Sequence, residues 1–130
     1  MRNIKFVTGE LYHIYNRAVE GRKIFHRKSY TTYFLESLLV GNTTLMMDQH
    51  WRRDKRNRKE VIASPLIEII ALVLMPNHFH VFVRQLIDGG IPKFLQRVCN
   101  SFAKYLNKAE ERKGGLFMAP YQAVHVASDV

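Results

Sequence analysis

Leu66-Ile67-Glu68-Ile69-Ile70-Ala71-Leu72-Val73-Leu74-Met75-Pro76-Asn77-His78-Phe79-His80-Val81-Phe82-Val83-Arg84 is the stretch on which the fold turns. Its first ten residues are apolar except for Glu68, and Pro65 and Pro76 bound them tightly. That pattern predicts a buried strand. Pro76-Asn77 is a turn pair. His78 to Arg84 alternates and predicts a second strand, so Leu66 to Arg84 reads as a β-hairpin. Alternation sets His78 and His80 on one face and Asn77, Phe79, Val81 and Val83 on the other. Three of those four are apolar, as a core-facing side requires.

Two residues of strand rise put the histidine Cα atoms roughly 6.5–7 Å apart. Imidazoles at that spacing can converge on one cation, although a His-x-His pair also arises by chance as two surface histidines. Two ligands alone do not make a zinc site, which takes three or four. Two histidines plus an oxygen ligand, with positions left open, suit a catalytic divalent ion. Imidazole favours manganese over magnesium on softness, and either can act.

Working outward, Leu11 to Arg17 (Leu-Tyr-His-Ile-Tyr-Asn-Arg) predicts a strand. Val19 to Lys23 predicts a turn. Ser29 is the expected N-cap of a helix carrying Tyr30, Tyr33, Phe34 and Leu38, which stops near Gly41-Asn42. Pro92 to Arg112 is the clearest helix. Pro92 suits its first turn and Gly114-Gly115 its end. Phe94, Leu95, Val98, Phe102, Tyr105, Leu106 and Ala109 share one arc, and Lys93, Arg97, Lys104 and Lys108 share another. Leu116 to Val126 reads as a last strand. Between Asn42 and Pro65 the chain reads as irregular. Its centre, Trp51 to Glu60, holds six basic groups and two acids. That segment is either a solvated loop or frayed helix end, or a flexible phosphate-binding arm with Trp51 able to stack on a base. The strand and helix order β-α-β-β-α-β has no internal repeat and no linker long enough to divide the 130 residues.

Charge supports a polyanion partner. Lysine and arginine number 20 against 11 acids, a net +9. The first 65 residues hold 13 basic and 6 acidic groups, and the last 65 hold 7 and 5. A basic small domain attracts nucleic acid through steering and counterion release. The longest apolar run, Ile69 to Met75, falls far short of the roughly 20 residues a membrane span needs. Met1 to Phe6 lacks the apolar core of a secretory leader. The one cysteine, Cys99, excludes an internal disulfide framework, and a reducing cytoplasm is the expected home.

Three blocks resemble one family. Met75-Pro-Asn-His-Phe-His-Val-Phe82 resembles the His-hydrophobic-His motif of single-tyrosine transposases. Tyr12-His13-Ile14 with Asn16-Arg17 and Ile24-Phe25 is similar to the first strand and turn of the REP-associated tyrosine transposase branch. Phe102-Ala-Lys-Tyr-Leu-Asn-Lys108 and Gly115-Leu-Phe117 resemble that branch's helix and the glycine segment after it. The matches run in order from about residue 11 to residue 126. The basic stretch around Trp51 to Glu60 departs from the pattern as a longer connection.

The resemblance implies an α+β, ferredoxin-like fold over residues 1–130, an antiparallel sheet with helices packed on one face. It implies cutting and rejoining of single-stranded DNA beside hairpins, through a phosphotyrosine bond that conserves the energy of the broken one. His78 and His80 would hold Mg or Mn to polarise the scissile phosphate. Asn16 and Arg17 on the first strand, with Lys93, Arg97, Lys104 and Lys108 on the helix, are the expected DNA contacts. Relatives imply a monomer or a homodimer.

The family's nucleophile sits in a pattern like Tyr-Ile-x-x-Asn-Pro on a helix after the last strand, and that helix also completes the metal site. No such pattern occurs here. The expectation is that the nucleophile follows Val130 and that this chain binds DNA without cutting it. Tyr105 lies on an apolar arc, Tyr121 in a strand, and Tyr12, Tyr15, Tyr30 and Tyr33 read as core or groove aromatics. His13 reads as a hydrogen-bonded structural histidine. The competing function is a non-catalytic module that binds single-stranded nucleic acid by stacking on sheet aromatics.

Overall fold

The computed structural model describes residues 4–46 and 48–127. Among the described residues there are four strands: β1 (Leu11–Arg17), β2 (Ile67–Met75), β3 (His78–Gln85) and β4 (Gln122–Val126). Four helices accompany them: α1 (Lys28–Gly41), α2 (Gln49–Arg53), α3 (Arg58–Ala63) and α4 (Gly90–Ala109). The strands form one sheet in the order β2-β3-β1-β4 with every pairing antiparallel. This is the α+β, ferredoxin-like arrangement that the resemblance implies.

Alternation decides which face is covered. Tyr12 and Ile14 of β1 and Phe79, Val81 and Val83 of β3 are buried. They meet Tyr30, Phe34 and Leu38 of α1 and Phe94, Leu95, Val98, Phe102 and Leu106 of α4 in one core. Phe34 lies between Phe79 and Phe102, with ring centroids 5.2 Å and 5.3 Å away. The opposite face of the sheet carries no helix among the described residues.

Several local expectations are corrected. α1 starts at Lys28 after Arg27, so Ser29 lies in its first turn and does not cap it. The apolar run of β2 is an edge strand rather than a fully buried one. Its register shifts between Ile69 and Ala71, and Ile70, Val73 and Met75 stay exposed. α4 ends at Ala109, ahead of the glycine pair, where Glu111 takes a left-handed φ of 51°. The last strand is short. Residues 116–121 are irregular and join the sheet through a single bridge from Phe117 to Ala18.

Of the readings for the basic segment, the helical one is nearest, and neither an open loop nor a free arm is present among the described residues. The segment folds as α2, a 3-10 turn at Lys55–Asn57, and α3. Asp48 caps α2 by accepting the Trp51 amide at 2.9 Å, and Asp54 caps the turn by accepting the Arg56 amide at 2.9 Å. The Arg56 side chain also grips Asp54 and holds its carboxyl down at about 2. Arg53 ties the segment to the helices. It donates to Glu36, Ser37 and Ser101 and lies 4.4 Å above the Tyr33 ring. Tyr33 in turn stacks on Tyr105 at 3.9 Å.

Candidate metal and nucleic-acid site

The open face of the sheet holds the site. His78 and His80 project there from β3, because Phe79 and Val81 occupy the core side. The β1–β3 register sets Tyr15 opposite His80 and Arg17 opposite His78. His13 and Tyr15 follow the same alternation and join the face from β1.

Both histidines are held through Nδ1. Asn77 Oδ1 lies 2.7 Å from His78 Nδ1, and His13 Nε2 lies 2.9 Å from His80 Nδ1. The Nε2 atoms of the pair are thus the ones left for a ligand. The two rings stand 5.1 Å apart at 77°. Tyr15 flanks His80 at 5.5 Å. Partial burial, then the positive charge that His13 and His78 can carry, lower the pKa of His80 and favour its neutral form. Neutral imidazoles with outward Nε2 atoms have the donor chemistry a divalent cation accepts. Among the described residues no cluster of three or more His, Cys, Asp or Glu could hold a metal. The nitrogen donors that the open face offers are those of the histidine pair.

The expected DNA contacts divide. Arg17 is exposed and stands beside His78 on the open face. Asn16 points to the helix side of β1, is only 7% exposed and accepts the Arg17 amide at 2.9 Å. It lines a cavity of about 510 Å³ with Leu95, Cys99, Phe117 and Pro120. Lys104 and Lys108 are exposed on α4. Since α4 covers the other face of the sheet, they lie across the molecule from the histidines. Lys93 rests its ammonium 3.3 Å from Met46 Sδ. Arg97 is committed within the protein, where it donates to the carbonyls of Gly41, Thr43 and Leu45.

From the sequence, His13 stands apart from the pair and Tyr15 reads as a core or groove aromatic. Their common face with Arg17 was legible from alternation. Their contact with His80 was not, because it depends on which strand pairs with β1. Of the other tyrosines, Tyr12 and Tyr30 are buried, Tyr33 and Tyr105 stack on each other, and Tyr121 packs against the core.

Cys99 is a packing residue. Burial pushes its thiol up to about 12. Alkylation of the native chain near pH 8 is expected to be at least tenfold slower than that of the urea-unfolded chain. Equal rates by mass spectrometry would mean that the thiol stands open to solvent.

No helix among the described residues is long and apolar enough to cross a membrane. No family model matches the sequence, and no curated protein matches it. Solved structures share its fold, and two of them are transposases. One is a REP-associated tyrosine transposase bound to a REP hairpin, with a TM-score of 0.62 and 13% identity over 99% of this chain. This chain spans 63% of that protein's length. The other is a putative transposase from Deinococcus radiodurans R1, with a TM-score of 0.56 and 16% identity over 98% of this chain and 86% of that one. From the antiparallel sheet to the packed helices, this chain has the fold of these transposases.

Proposed function

We propose that the chain is the DNA-binding and metal-binding part of a single-tyrosine transposase. It would act on single-stranded DNA that carries a hairpin. The observation that carries this reading is the histidine pair on the open face, each ring held at Nδ1 and free at Nε2. Mg²⁺ or Mn²⁺ bound there would neutralise charge on a scissile phosphate. The protein's own part is to orient both imidazoles, favour the neutral form of His80 and bring Arg17 beside them to bind a neighbouring phosphate. No Tyr-Ile-x-x-Asn-Pro pattern occurs in residues 1–130, and the roles argued for these residues are binding the cation and the phosphate.

The test measures metal and DNA separately. Mn²⁺ titration is expected to show one site, weakened at least about 100-fold when His78→Ala and His80→Ala are combined. Fluorescence anisotropy is expected to favour a hairpin with a single-stranded flank over a blunt duplex of equal length. Arg17→Ala is expected to weaken hairpin binding and lower the salt slope by about 1. Charge reversal at Lys104 and Lys108 is expected to do the same if the DNA also wraps the helix side. No Mn²⁺ binding by the wild type would overturn the metal reading.

A second reading has its own observation. Tyr15 and Phe82 share the open face, with Val73 and Val124 exposed beside them. That surface suits a module that stacks bases and needs no metal. Under it, Tyr15→Ala would cost roughly 1–3 kcal/mol of single-strand binding, and the double histidine variant would bind as the wild type does.

A further inference from the structure

We propose that His13 is a positioning residue for the histidine pair. It accepts the Nδ1–H of His80 and so fixes the tautomer in which His80 Nε2 carries the lone pair. The proposal rests on the metal reading above and assigns a role to a side chain outside the His-x-His strand.

The contact is directional. His13 Nε2 and His80 Nδ1 stand 2.9 Å apart. The ring planes are within 20° of each other and the centroids 5.1 Å apart. The rings therefore meet edge to edge through those two nitrogens. Two neutral imidazole nitrogens at this distance share one proton. If His13 gave it, His80 would carry its own proton on Nε2 and could not bind a cation there. If His80 gives it, Nε2 is open.

The neighbouring ring indicates which way the bond runs. His78 makes the equivalent contact to Asn77 Oδ1, an oxygen that only accepts. That sets His78 as the Nδ1–H tautomer with Nε2 open. A pair that shares one cation needs the same tautomer twice, and His13 is the acceptor that can supply it at His80. Metal-ligating histidines commonly donate their second ring nitrogen to such a partner.

Placement supports the role. His13 pairs in register with Phe82, two residues past His80, so it reaches His80 along the diagonal between β1 and β3. Tyr15 occupies the directly opposed position and lies against the His80 ring at 5.5 Å and 30°. One β1 side chain thus limits ring swing while the other takes the proton.

The experiment uses histidine-labelled full chain, free of metal at about pH 8, where unperturbed imidazole is neutral. Two-bond proton–nitrogen spectra read the tautomer of each ring. Wild-type His80 is expected in the Nδ1–H form. His13→Phe keeps an aromatic ring and removes the acceptor, and is expected to move His80 toward the Nε2–H form. His13→Gln restores an acceptor and is expected to restore the tautomer. Mn²⁺ affinity, read by electron paramagnetic resonance, should fall about 10–100-fold in His13→Phe and largely return in His13→Gln. His80 found as Nε2–H in the wild type overturns the proposal, as does a tautomer indifferent to His13→Phe while His78→Ala still abolishes Mn²⁺ binding. A tautomer that switches in a chain taking up no Mn²⁺ overturns the metal reading and leaves the hydrogen bond in place.

Discussion

Phe79→Ala is expected to lower the free energy of unfolding by about 3–5 kcal/mol, the usual cost of deleting a buried phenylalanine ring. Phe79 is 1% exposed. Its ring meets Phe34 at 5.2 Å and Phe117 at 5.7 Å, so its loss opens a cavity between the sheet, α1 and the segment after α4. A domain of this size has about 5–15 kcal/mol of stability, and the substitution removes a large share of it. The same ring keeps its two neighbours in sequence, His78 and His80, pointing away from the core. Urea unfolding checks the energy, and Mn²⁺ titration of the still-folded fraction checks the geometry. A loss under about 1 kcal/mol would mean that β3 sits in another register.

Gly90→Ala is expected to cost about 1–3 kcal/mol, although alanine is the better helix former. Gly90 opens α4 where the helix crosses the start of β2. A Cβ there would stand 2.6 Å from the Leu66 carbonyl oxygen. That oxygen is backbone and cannot rotate aside. It also accepts the Leu86 amide at 3.1 Å, so moving it disturbs the strand ends. The gain in helix propensity, up to about 1 kcal/mol, offsets only part of the strain. Gly115 is the control, because a Cβ there meets nothing within 4 Å. Thermal or urea unfolding of the two variants should separate them clearly. An unchanged Gly90→Ala would mean that α4 and β2 do not touch at this point.

Acid adds a dependence with a definite sign. The lowered pKa of His80 means that the folded chain binds its proton less readily than the unfolded one. Its contribution to stability is complete above about pH 6.5, the unfolded value, and is lost as the pH falls through the lower folded value. Mn²⁺ binding is expected to weaken over the same window, because the ligand must be neutral. A Mn²⁺ affinity flat between about pH 7 and pH 5 would argue against histidine ligation.

Much of this architecture was legible locally. Strict alternation announced β1 and β3, and Phe79 between two histidines announced which face was which. The heptad-like arc of α4 announced its buried side. Most of the misread parts share a physical cause, which is that neighbours distant in sequence decide them. Ile70, Val73 and Met75 look like core residues until β2 proves to be an edge. Arg97 looks like part of a solvent-facing stripe until the end of α1 brings three carbonyls to it. The charge density of Trp51 to Glu60 hid two ordinary caps, Asp48 and Asp54, which give those residues helical turns. His13 shows nothing of its partner in the sequence, because strand pairing between β1 and β3 supplies it.

That pairing also sets an order of events in time. β2 and β3 are joined by a two-residue turn, and a hairpin of this kind forms in about 1–10 μs. His13 and His80 are 67 residues apart, and β4 must then add on the far side of β1. Closing loops of that length precedes any reward from the contacts they enable, which slows folding. The two histidines of β3 are therefore neighbours almost from the start. The imidazole that sets their chemistry arrives only when the central strand docks, so the chain is nearly folded before it can become selective about what it binds.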